Sequence, residues 1–307
     1  MNKKIVVIGS SNIDLIMKMD NLPKPGETIT EASFMQVYGG KGANQAVAAA
    51  RAGGNVTFIN CVGNDAYTPQ MLENFKADNI NTEFVFKDNN SASGHALIMI
   101  DSRGENFISV APGANATLTP DKIDNAKTSI EEAAILIMQY EIPLKTIEYV
   151  LDIAQEYSIP VLWNFAPAQK FDIEYLKKTE ILVVNETEAS FIVDVEVSDR
   201  VTAEKAVYKL RELGSKLVIL TLGVNGVIYC NENGIAHVPA FKVIAEDTTG
   251  AGDTFCGSFA VAYVENKSLK EAITFSSAAA ALAVTCMGAQ PSIPKRSEID
   301  AFMVKNL

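Results

Sequence analysis

The chain has 307 residues, of which 48% are hydrophobic and 21% are charged, as in a globular protein with a core large enough to hold a deep cleft. Its formal net charge of −11 argues against a nucleic-acid or anionic-membrane surface, because both partners require a positive field. With only two histidines, the sequence also excludes a multi-histidine metal site and leaves few candidates for a serine–histidine–aspartate triad.

Short apolar strands alternate with helices along most of the chain. We predict strands at 5–8, 56–62, 135–138, 161–163, 181–184 and 217–221, and helices at 43–52, 69–77, 144–157, 186–193 and 203–213. This alternation predicts a three-layer α/β/α fold, in which helices cover both faces of a mostly parallel central sheet. Length alone would allow two domains, but no linker is present, so we predict a single α/β domain over residues 1–307.

Two segments, at about 15–38 and 91–110, interrupt this rhythm. The first contains two prolines, and the second has strand-like runs at 95–100 and 106–110 joined by a turn. Neither segment offers the crossover helix that a parallel sheet needs. We predict that they form one small antiparallel sheet, either a lid or a dimer surface, with ordinary edge strands as the alternative.

The cysteines and the first residues indicate the cellular location. The four cysteines are scattered without a Cys-x-x-Cys pair, which is typical of reduced thiols in a cytoplasmic protein. The four apolar residues at 5–8 are too few for a signal-peptide core, and no stretch approaches the about 20 apolar residues of a membrane span. We therefore expect a cytoplasmic location with no membrane or nucleic-acid partner.

The strongest chemical signal is the run Asp-Thr-Thr-Gly-Ala-Gly-Asp-Thr-Phe at 247–255, between a β-rich run at 241–244 and a predicted helix at 255–264. Two glycines beside a helix N-terminus let backbone N–H groups converge on an anion such as a phosphate. Asp253 could there take a proton from a substrate hydroxyl as its oxygen attacks phosphorus. The alternative, an aspartate N-cap after a glycine turn, does not explain two glycines together with Asp247.

Two further segments offer polar groups for a ligand. The run Gly-Gly-Lys-Gly-Ala-Asn at 39–44 opens a helix, and its Lys41 and Asn44 can donate to hydroxyls or phosphate, although the spacing of a Walker A loop is absent. Asn12 and Asp14 follow the first strand, where open α/β sheets bind ligands, and they suit adjacent sugar hydroxyls. Turn formation explains the latter pair equally well.

Weaker signals follow two later strands. The run Asn-Glu-Thr-Glu at 185–188 is typical of an ordinary helix N-terminus, but in a phosphoryl-transfer enzyme the same Asn and Glu would help to hold hydrated Mg²⁺. The loop at 221–226 contains two glycines and suits a nucleotide, while on its own it is simply a hairpin turn.

The two glycine-rich runs, at 39–45 and 247–255, resemble the signatures of the ribokinase family of sugar and nucleoside kinases. The resemblance extends almost end to end, from 7–10 to 288–292, and includes 25–28, 112–115, 166–168 and 185–188. It implies the ribokinase-like α/β/α fold, with the two irregular segments forming the β-lid of the family. In that family the lid doubles as a dimer interface, so we expect a homodimer.

The resemblance also implies a role for each matching residue. Asp253 would be the catalytic base, and the amides of Gly250, Ala251 and Gly252 would form the anion hole. The sugar would be bound by Asn12, Asp14, Gly39, Gly40, Lys41, Asn44, Glu141 and Asp253. ATP would be bound by Asn185, Thr221, Leu222, Gly223, Val224, Asn225, Gly226, Gly252 and Ser277. An activating monovalent cation, usually K⁺, would be bound by Asp247, Thr249, Ala283, Cys286, Gly288 and Ser292, and Glu188 would order Mg²⁺ through water.

The activity implied is ATP-dependent phosphorylation of the 5-hydroxyl of D-ribose by in-line transfer. Asn12 favours ribose over 2-deoxyribose, because a buried amide without its hydroxyl partner costs about 1–3 kcal/mol. The alternatives are a kinase of the same family for 2-deoxyribose, another sugar or a nucleoside, and a catalytically idle sugar-binding protein, which the retained Asp253 disfavours. The missing G-x-G-x-x-G fingerprint disfavours a nicotinamide oxidoreductase.

Overall fold

The computed structural model describes residues 3–306, so positions 1, 2 and 307 of the predicted domain lie outside the described residues. The strands β1–β13 run over Lys4–Ile8, Asn12–Lys18, Ser33–Gly39, Asn55–Gly63, Val85–Asp88, Gly94–Ile100, Asn106–Ala111, Ile135–Met138, Val161–Asn164, Ile181–Asn185, Leu217–Thr221, Val227–Asn231 and Gly234–Val238. The helices α1–α11 run over Lys41–Arg51, Thr68–Ala77, Pro120–Asn125, Lys127–Glu131, Leu144–Glu156, Glu186–Val193, Arg200–Glu212, Ala251–Val264, Leu269–Ala283, Ala289–Ser292 and Arg296–Asn306.

The main sheet has nine strands in the order β13-β12-β11-β10-β9-β8-β1-β4-β5. The seven strands from β11 to β5 are parallel, and β12 and β13 extend the sheet as antiparallel edge strands. In β1, Ile5 and Val7 enter the core on one face while Val6 and Ile8 enter the core on the other. Burial on both faces explains why this strand is an uninterrupted apolar run.

Helices cover both faces of the main sheet. The first core includes side chains of α1, α2, α8, α9 and α11, and the second includes side chains of α3 to α7. The predicted three-layer α/β/α fold with a mostly parallel central sheet is thereby confirmed. No helix within residues 3–306 is both long and apolar enough to cross a membrane.

Most predicted elements are found within a few residues of their predicted ends, but the β-rich run at 241–244 is not a strand. After β13 the chain leaves the sheet, and Phe241 packs its ring against Phe302 of α11 at a centroid distance of 5.2 Å. The helix predicted at 255–264 begins earlier, at Ala251, because the left-handed backbone of Gly250 (φ 76°) forms its N-cap.

The second, smaller sheet has the order β3-β2-β6-β7 and contains the two irregular segments. Its outer pairs, β2–β3 and β6–β7, are antiparallel hairpins, whereas the central pair β2–β6 is parallel. The parallel pairing follows from the connectivity, because β2 and β6 follow β1 and β5, two parallel strands of the main sheet, and therefore leave it in the same direction. The sheet begins at Asn12, three residues before the predicted segment.

Candidate active site

Polar residues follow the parallel strands where their carboxyl ends meet, at one edge of the main sheet. The neighbouring strands β1 and β8 connect in opposite directions across the sheet. From β1 the chain continues to β4 on one side, and from β8 it continues to β9 on the other side, so this edge contains a topological switch point. Open α/β sheets bind ligands at such a point. The polar residues that end or follow these strands are Ser10, Asn12, Asp14, Gln139, Glu141, Asn164, Asn185 and Thr221.

A cavity of about 210 Å³ opens at this edge, between the strand ends and the first turns of α1 and α8. It brings together seven of the predicted site residues: Lys41, Asn185, Glu188, Thr221, Gly250, Gly252 and Asp253. The remaining wall is formed by Asn164, Ala166, Val183, Val184 and Thr248.

The first turn of α8 presents bare backbone to this cavity. The alternative that Asp253 is the N-cap is wrong, because Gly250 is the N-cap and Asp253 lies in the first turn. Apart from its chain neighbours and the backbone of its own helix, a Cβ atom built on Gly252 would meet no atom of residues 3–306 within 4 Å. Among the described residues no carbonyl takes up the Gly252 amide, whereas the Ala251 amide donates to the Thr248 carbonyl at 3.3 Å. The Gly252 N–H, at the positive end of the helix, is therefore free to bind an anion.

The carboxylate of Asp253 is buried and held on both oxygens. The side-chain amide of Asn44 donates to Oδ2 at 2.9 Å, and that of Gln45 donates to Oδ1 at 2.9 Å. Both donors lie on α1, which packs so closely on α8 that a Cβ on Gly257 would lie 2.4 Å from the Gln45 carbonyl oxygen. The glycine in the middle of α8 thus allows the close approach that brings the two side-chain amides to Asp253.

Lys41 places an ammonium group among carboxylates. Burial alone would lower the pKa of Lys41, but the negative charges of Asp253, Glu141 and Glu188 outweigh it and raise that pKa. Among residues 3–306 the ammonium has no carboxylate within 4 Å, whereas the Lys41 backbone amide donates to Glu141 Oε2 at 3.1 Å. The side chain is charged and available to an anionic phosphate.

Asp14 and its glycine neighbours form the side of the site that suits a sugar. Burial, followed by the nearby charges of Glu141 and Asp253, raises the pKa of Asp14 from 3.8 to about 7. A Cβ on Gly39 would lie 2.1 Å from Asp14 Oδ2, so only glycine fits there. Ionised carboxylates only accept hydrogen bonds, and the hydroxyls of a polyol can donate them.

Asn12 is oriented by a second asparagine. Asn115 donates from Nδ2 to Asn12 Oδ1 at 2.8 Å, while its own Oδ1 accepts from the Ser11 amide at 2.9 Å. The Asn12 Nδ2 group is therefore the end left for a ligand hydroxyl. Gly40, with φ +88°, also packs here, since a Cβ atom built on it would lie 2.7 Å from the backbone nitrogen of Asn12.

The run at 185–188 forms the helix cap that its sequence predicts. The side-chain oxygen of Asn185 accepts from the backbone N–H of Glu188. In return, Glu188 Oε2 accepts from the backbone N–H of Asn185 at 2.9 Å, and the two bonds make a capping box. Both residues also line the cavity, and burial raises the pKa of Glu188. The capping interpretation therefore does not exclude a role at the cavity.

The predicted nucleotide residues do not all lie together: Asn185, Thr221 and Gly252 line the cavity with Asp253, and the others do not. Residues 221–226 form a tight turn between β11 and β12, as the hairpin interpretation predicts, and Val224 at its tip is 92% exposed. Leu222 and Asn225 line a different, larger cavity of about 460 Å³, which Asp253 does not line. Ser277 is buried in α9 and lines neither cavity.

Three of the six residues predicted for a monovalent cation are in direct contact. Asp247 accepts from the Thr249 amide on Oδ1 and from the Gly288 amide on Oδ2, both at 2.9 Å. Burial would raise the pKa of Asp247, but a hydrogen bond from the Thr249 hydroxyl, together with those from the two backbone amides, outweighs it and lowers that pKa, so the carboxylate stays ionised. The other three, Ala283, Cys286 and Ser292, make hydrogen bonds within their own segments.

Several site residues were not among the predicted ones. Gln45 and Gln139 are fully buried; Gln45 donates to the Asp253 carboxylate and to Asn164, and Gln139 donates to Gln45. Asn60 and Asn115 support the Asn12 segment. Asn60, Gln139 and Asn164 could have been found as polar residues inside, or directly after, an apolar strand, as in the runs Ile-Leu-Ile-Met-Gln and Val-Leu-Trp-Asn; Gln45, on a helix, and Asn115 have no such signal.

Comparison with known proteins agrees with this geometry. Residues 2–296 match the family described as pfkB family carbohydrate kinase. The chain is 41% identical to the ribokinase of Haemophilus influenzae over 303 residues (99% of each chain) and 35% identical to the deoxyribokinase of Salmonella typhi (98% and 99%). The structure of Arabidopsis thaliana ribokinase complexed with ribose and ATP is 33% identical and has a TM-score of 0.92, with 99% of each chain covered. The family match spans nearly the whole sequence, and this chain belongs to the pfkB family of carbohydrate kinases.

Proposed function

We infer that this chain is an ATP-dependent kinase that phosphorylates the 5-hydroxyl of D-ribose. Its family consists of carbohydrate kinases, and its relatives include ribokinases, one of them solved with ribose and ATP. The observation that carries the inference is a single cavity that combines a buried Asp253 carboxylate, the free Gly252 amide and the Lys41 ammonium. These are an acceptor for a hydroxyl proton and two donors for a phosphate.

The residues support direct in-line transfer. Asp253 accepts the proton of the 5-hydroxyl while that oxygen forms a bond to the γ-phosphorus of ATP and the bond from phosphorus to the β-phosphate oxygen breaks. The amides of Gly250 and Gly252, the dipole of α8 and Lys41 stabilise the negative charge of the transferring group, whereas the Ala251 amide, predicted for the same anion hole, donates to the Thr248 carbonyl. Asp14 and Glu141 accept other sugar hydroxyls, and Asn12 donates to one.

Mg²⁺ supplies positive charge to the phosphate oxygens when it is bound. Glu188 fits a place in its hydration shell, because Oε2 is used in the helix cap while Oε1 has no hydrogen-bond partner among the described residues. A nearby cation would also offset the burial that raises the pKa of Glu188. Replacing Glu188 by Gln should raise the Mg²⁺ concentration needed for half-maximal rate.

The role of Asp253 can be tested by replacing it with Asn. The variant keeps the side-chain shape but cannot take the proton, so turnover should fall by several orders of magnitude while ribose binding, measured by calorimetry, persists. Turnover near that of the wild type would show that Asp253 is not the base.

The substrate can be tested by measuring ADP release with ribose, 2-deoxyribose, fructose and adenosine. We expect ribose to be preferred, because Asn12 is buried and its Nδ2 group needs a hydroxyl partner. A preference for 2-deoxyribose, the substrate that the name of the Salmonella typhi relative indicates, would overturn the choice of sugar and leave the kinase assignment intact.

We also propose that the small sheet, from the segments 15–38 and 91–110, closes over the sugar as a lid on a single domain. By register, Ala96 and Val110 lie on the same sheet face as Asp14, and Val110 is 49% exposed. Closure would cover this apolar surface and exclude water that would otherwise hydrolyse ATP. Trypsin cleavage at Arg103, in the β6–β7 turn, should slow when ribose and an ATP analogue are added, whereas equal rates would contradict closure.

The opposite face of the small sheet supports a homodimer. Met17, Phe34, Leu97 and Phe107 share this face by register and are 40–64% exposed. A contiguous apolar patch of this kind is typical of a protein–protein contact. Replacing both Leu97 and Phe107 by Asp should convert a dimer to a monomer in sedimentation analysis, and a wild-type monomer would refute the proposal.

We propose in addition that K⁺ activates the enzyme and that the protein is cytoplasmic. The residues predicted for the cation supply backbone carbonyls and an ionised Asp247, a donor set that suits a hard cation. The rate should therefore fall when a bulky organic cation replaces K⁺.

The four free cysteines suit a reducing compartment, and fractionation should find the protein in the cytosol.

A further inference from the structure

A chain of buried amides leads from the main sheet to the proposed base. Gln139, directly after β8, donates from Nε2 to Gln45 Oε1 at 2.7 Å. Gln45 in turn donates from Nε2 to Asp253 Oδ1 at 2.9 Å and to Asn164 Oδ1 at 3.0 Å. Asn164 completes the chain by donating to the Val183 carbonyl at 3.3 Å.

This chain fixes which way the Gln45 amide points. A flipped Gln45 would place its carbonyl oxygen against the Asp253 carboxylate and the Asn164 oxygen, and its NH₂ group against the Gln139 NH₂ group. All three contacts would then be between like partners. Gln139, together with Asp253 and Asn164, therefore selects the rotamer in which Gln45 donates to the proposed base.

The surrounding backbone makes room for this arrangement. Gln45 and Gln139 are both fully buried, and Gln139 Oε1 has no hydrogen-bond partner within residues 3–306. A Cβ on Gly9 would lie 2.0 Å from that same oxygen. Stability alone does not explain two fully buried amides, one of which lacks a hydrogen-bond partner on its oxygen. Apolar side chains of the same shape would fill the same space and leave no unpaired polar group.

The consequence concerns the plane of the Asp253 carboxylate. Asn44 holds Oδ2 and Gln45 holds Oδ1, so the carboxylate cannot rotate about its Cβ–Cγ bond without losing a hydrogen bond. In-line transfer requires the base to meet the hydroxyl in a narrow range of positions, and a displacement of about 1 Å can lower a rate about 100-fold.

We propose that Gln45, oriented by Gln139, is a positioning residue that fixes the carboxylate of Asp253 for proton abstraction. This proposal rests on the proposed role of Asp253 as the base. Gln45 acts through Asp253 and Gln139 acts through Gln45, and neither glutamine belongs to the predicted site.

The first test replaces each glutamine by Met, which keeps the length and removes the donor. Gln45→Met should lower kcat about 10- to 100-fold with the ribose KM changed less than about threefold. Gln139→Met should lower kcat by a smaller factor, because Gln45 then loses the donor to its Oε1 while Asp253 and Asn164 still accept from its Nε2. In the double variant kcat should be no lower than in Gln45→Met, whereas multiplicative losses would contradict the chain of amides.

The second test uses the pH dependence of kcat. Gln45→Glu places a second carboxyl group beside Asp253, and two adjacent carboxylates cannot both ionise easily. The acid limb of the profile should move to higher pH, a change that a purely structural role would not produce. An unmoved acid limb would overturn the proposal.

Two further variants separate the possible failures. Thr146 is fully buried in α5 and donates to the Leu118 carbonyl, away from the site, so Thr146→Val should lose thermal stability with unchanged kcat. If Asp253→Asn is inactive while both glutamine variants have wild-type kcat, positioning is refuted and the base assignment stands. If Asp253→Asn is active, the base assignment fails first.

Discussion

Replacing Asp14 by Asn should stabilise the protein, and the gain should depend on pH. Burial and the charges of Glu141 and Asp253 raise the pKa of Asp14 from 3.8 to about 7. The folded state therefore binds this proton more tightly than the unfolded state does. Below pH 3.8 the group is neutral in both states, and stability is lost as the pH rises from there to about 7, above which the full loss remains.

The size of this effect follows from the pKa. A rise from 3.8 to about 7 corresponds to about 4 kcal/mol, since each tenfold change is worth about 1.4 kcal/mol. At pH 8 the ionised group destabilises the fold by about 4 kcal/mol, and at pH 5 by about 2 kcal/mol. Asn keeps the shape without the charge, so the free energy of unfolding of Asp14→Asn relative to wild type should grow by about 2 kcal/mol or more between pH 5 and pH 8.

Urea unfolding followed by the fluorescence of Trp163, the single tryptophan and fully buried, can measure this difference. Asp101→Asn is a control in which the change in unfolding free energy has the opposite sign. Hydrogen bonds from Arg103 lower the pKa of Asp101, so the ionised Asp101 stabilises the fold at neutral pH and this stabilisation is lost as the pH falls. A difference between wild type and Asp14→Asn that stays constant from pH 5 to pH 8 would refute the reasoning.

Three further predictions concern the site. Gly252→Ala should fold at least as stably as wild type, because the methyl group enters open space in a helix, yet kcat should fall at least 10-fold because that space is proposed for the phosphate. Gly250→Ala should instead lose about 1 kcal/mol or more in urea unfolding, since its backbone has φ +76°. Asn12→Leu should reduce the ratio of kcat/KM for ribose over 2-deoxyribose by about 10- to 100-fold, corresponding to about 1–3 kcal/mol, and an unchanged ratio would contradict direct recognition.

The main sheet could be predicted from the sequence because its strands are buried on both faces. The run Ile-Val-Val-Ile in β1 admits no other burial pattern, and the helices between the strands have clear turn or cap residues at their ends. The run at 241–244 misled the prediction because apolar residues that pack against a helix, as Phe241 does, have the same local pattern as a strand.

The candidate site was predictable only where glycines marked it. Glycine at 39 and 40 is explained by close approach to Asp14 and Asn12, and glycine at 250 and 252 by backbone conformation and open backbone; the residue type itself marks all four positions in the sequence. The contact of Gln45 and Asn44 with Asp253 joins residues about 200 positions apart, and it depends on how closely α1 crosses α8 at Gly257. Such a distance cannot be inferred from local pattern, so the amide chain was missed.

The parallel pairing of β2 with β6 has a consequence for the order in which the molecule assembles. The hairpins β2–β3 and β6–β7 are local, but their junction pairs Asn12 with Gly94, far along the chain, and must wait until the main sheet has brought β1 and β5 to their places. The small sheet should therefore form late. One of its two edge strands, β7, is exposed at every residue, so its amide protons should exchange through local opening, well before those of β1 and β4.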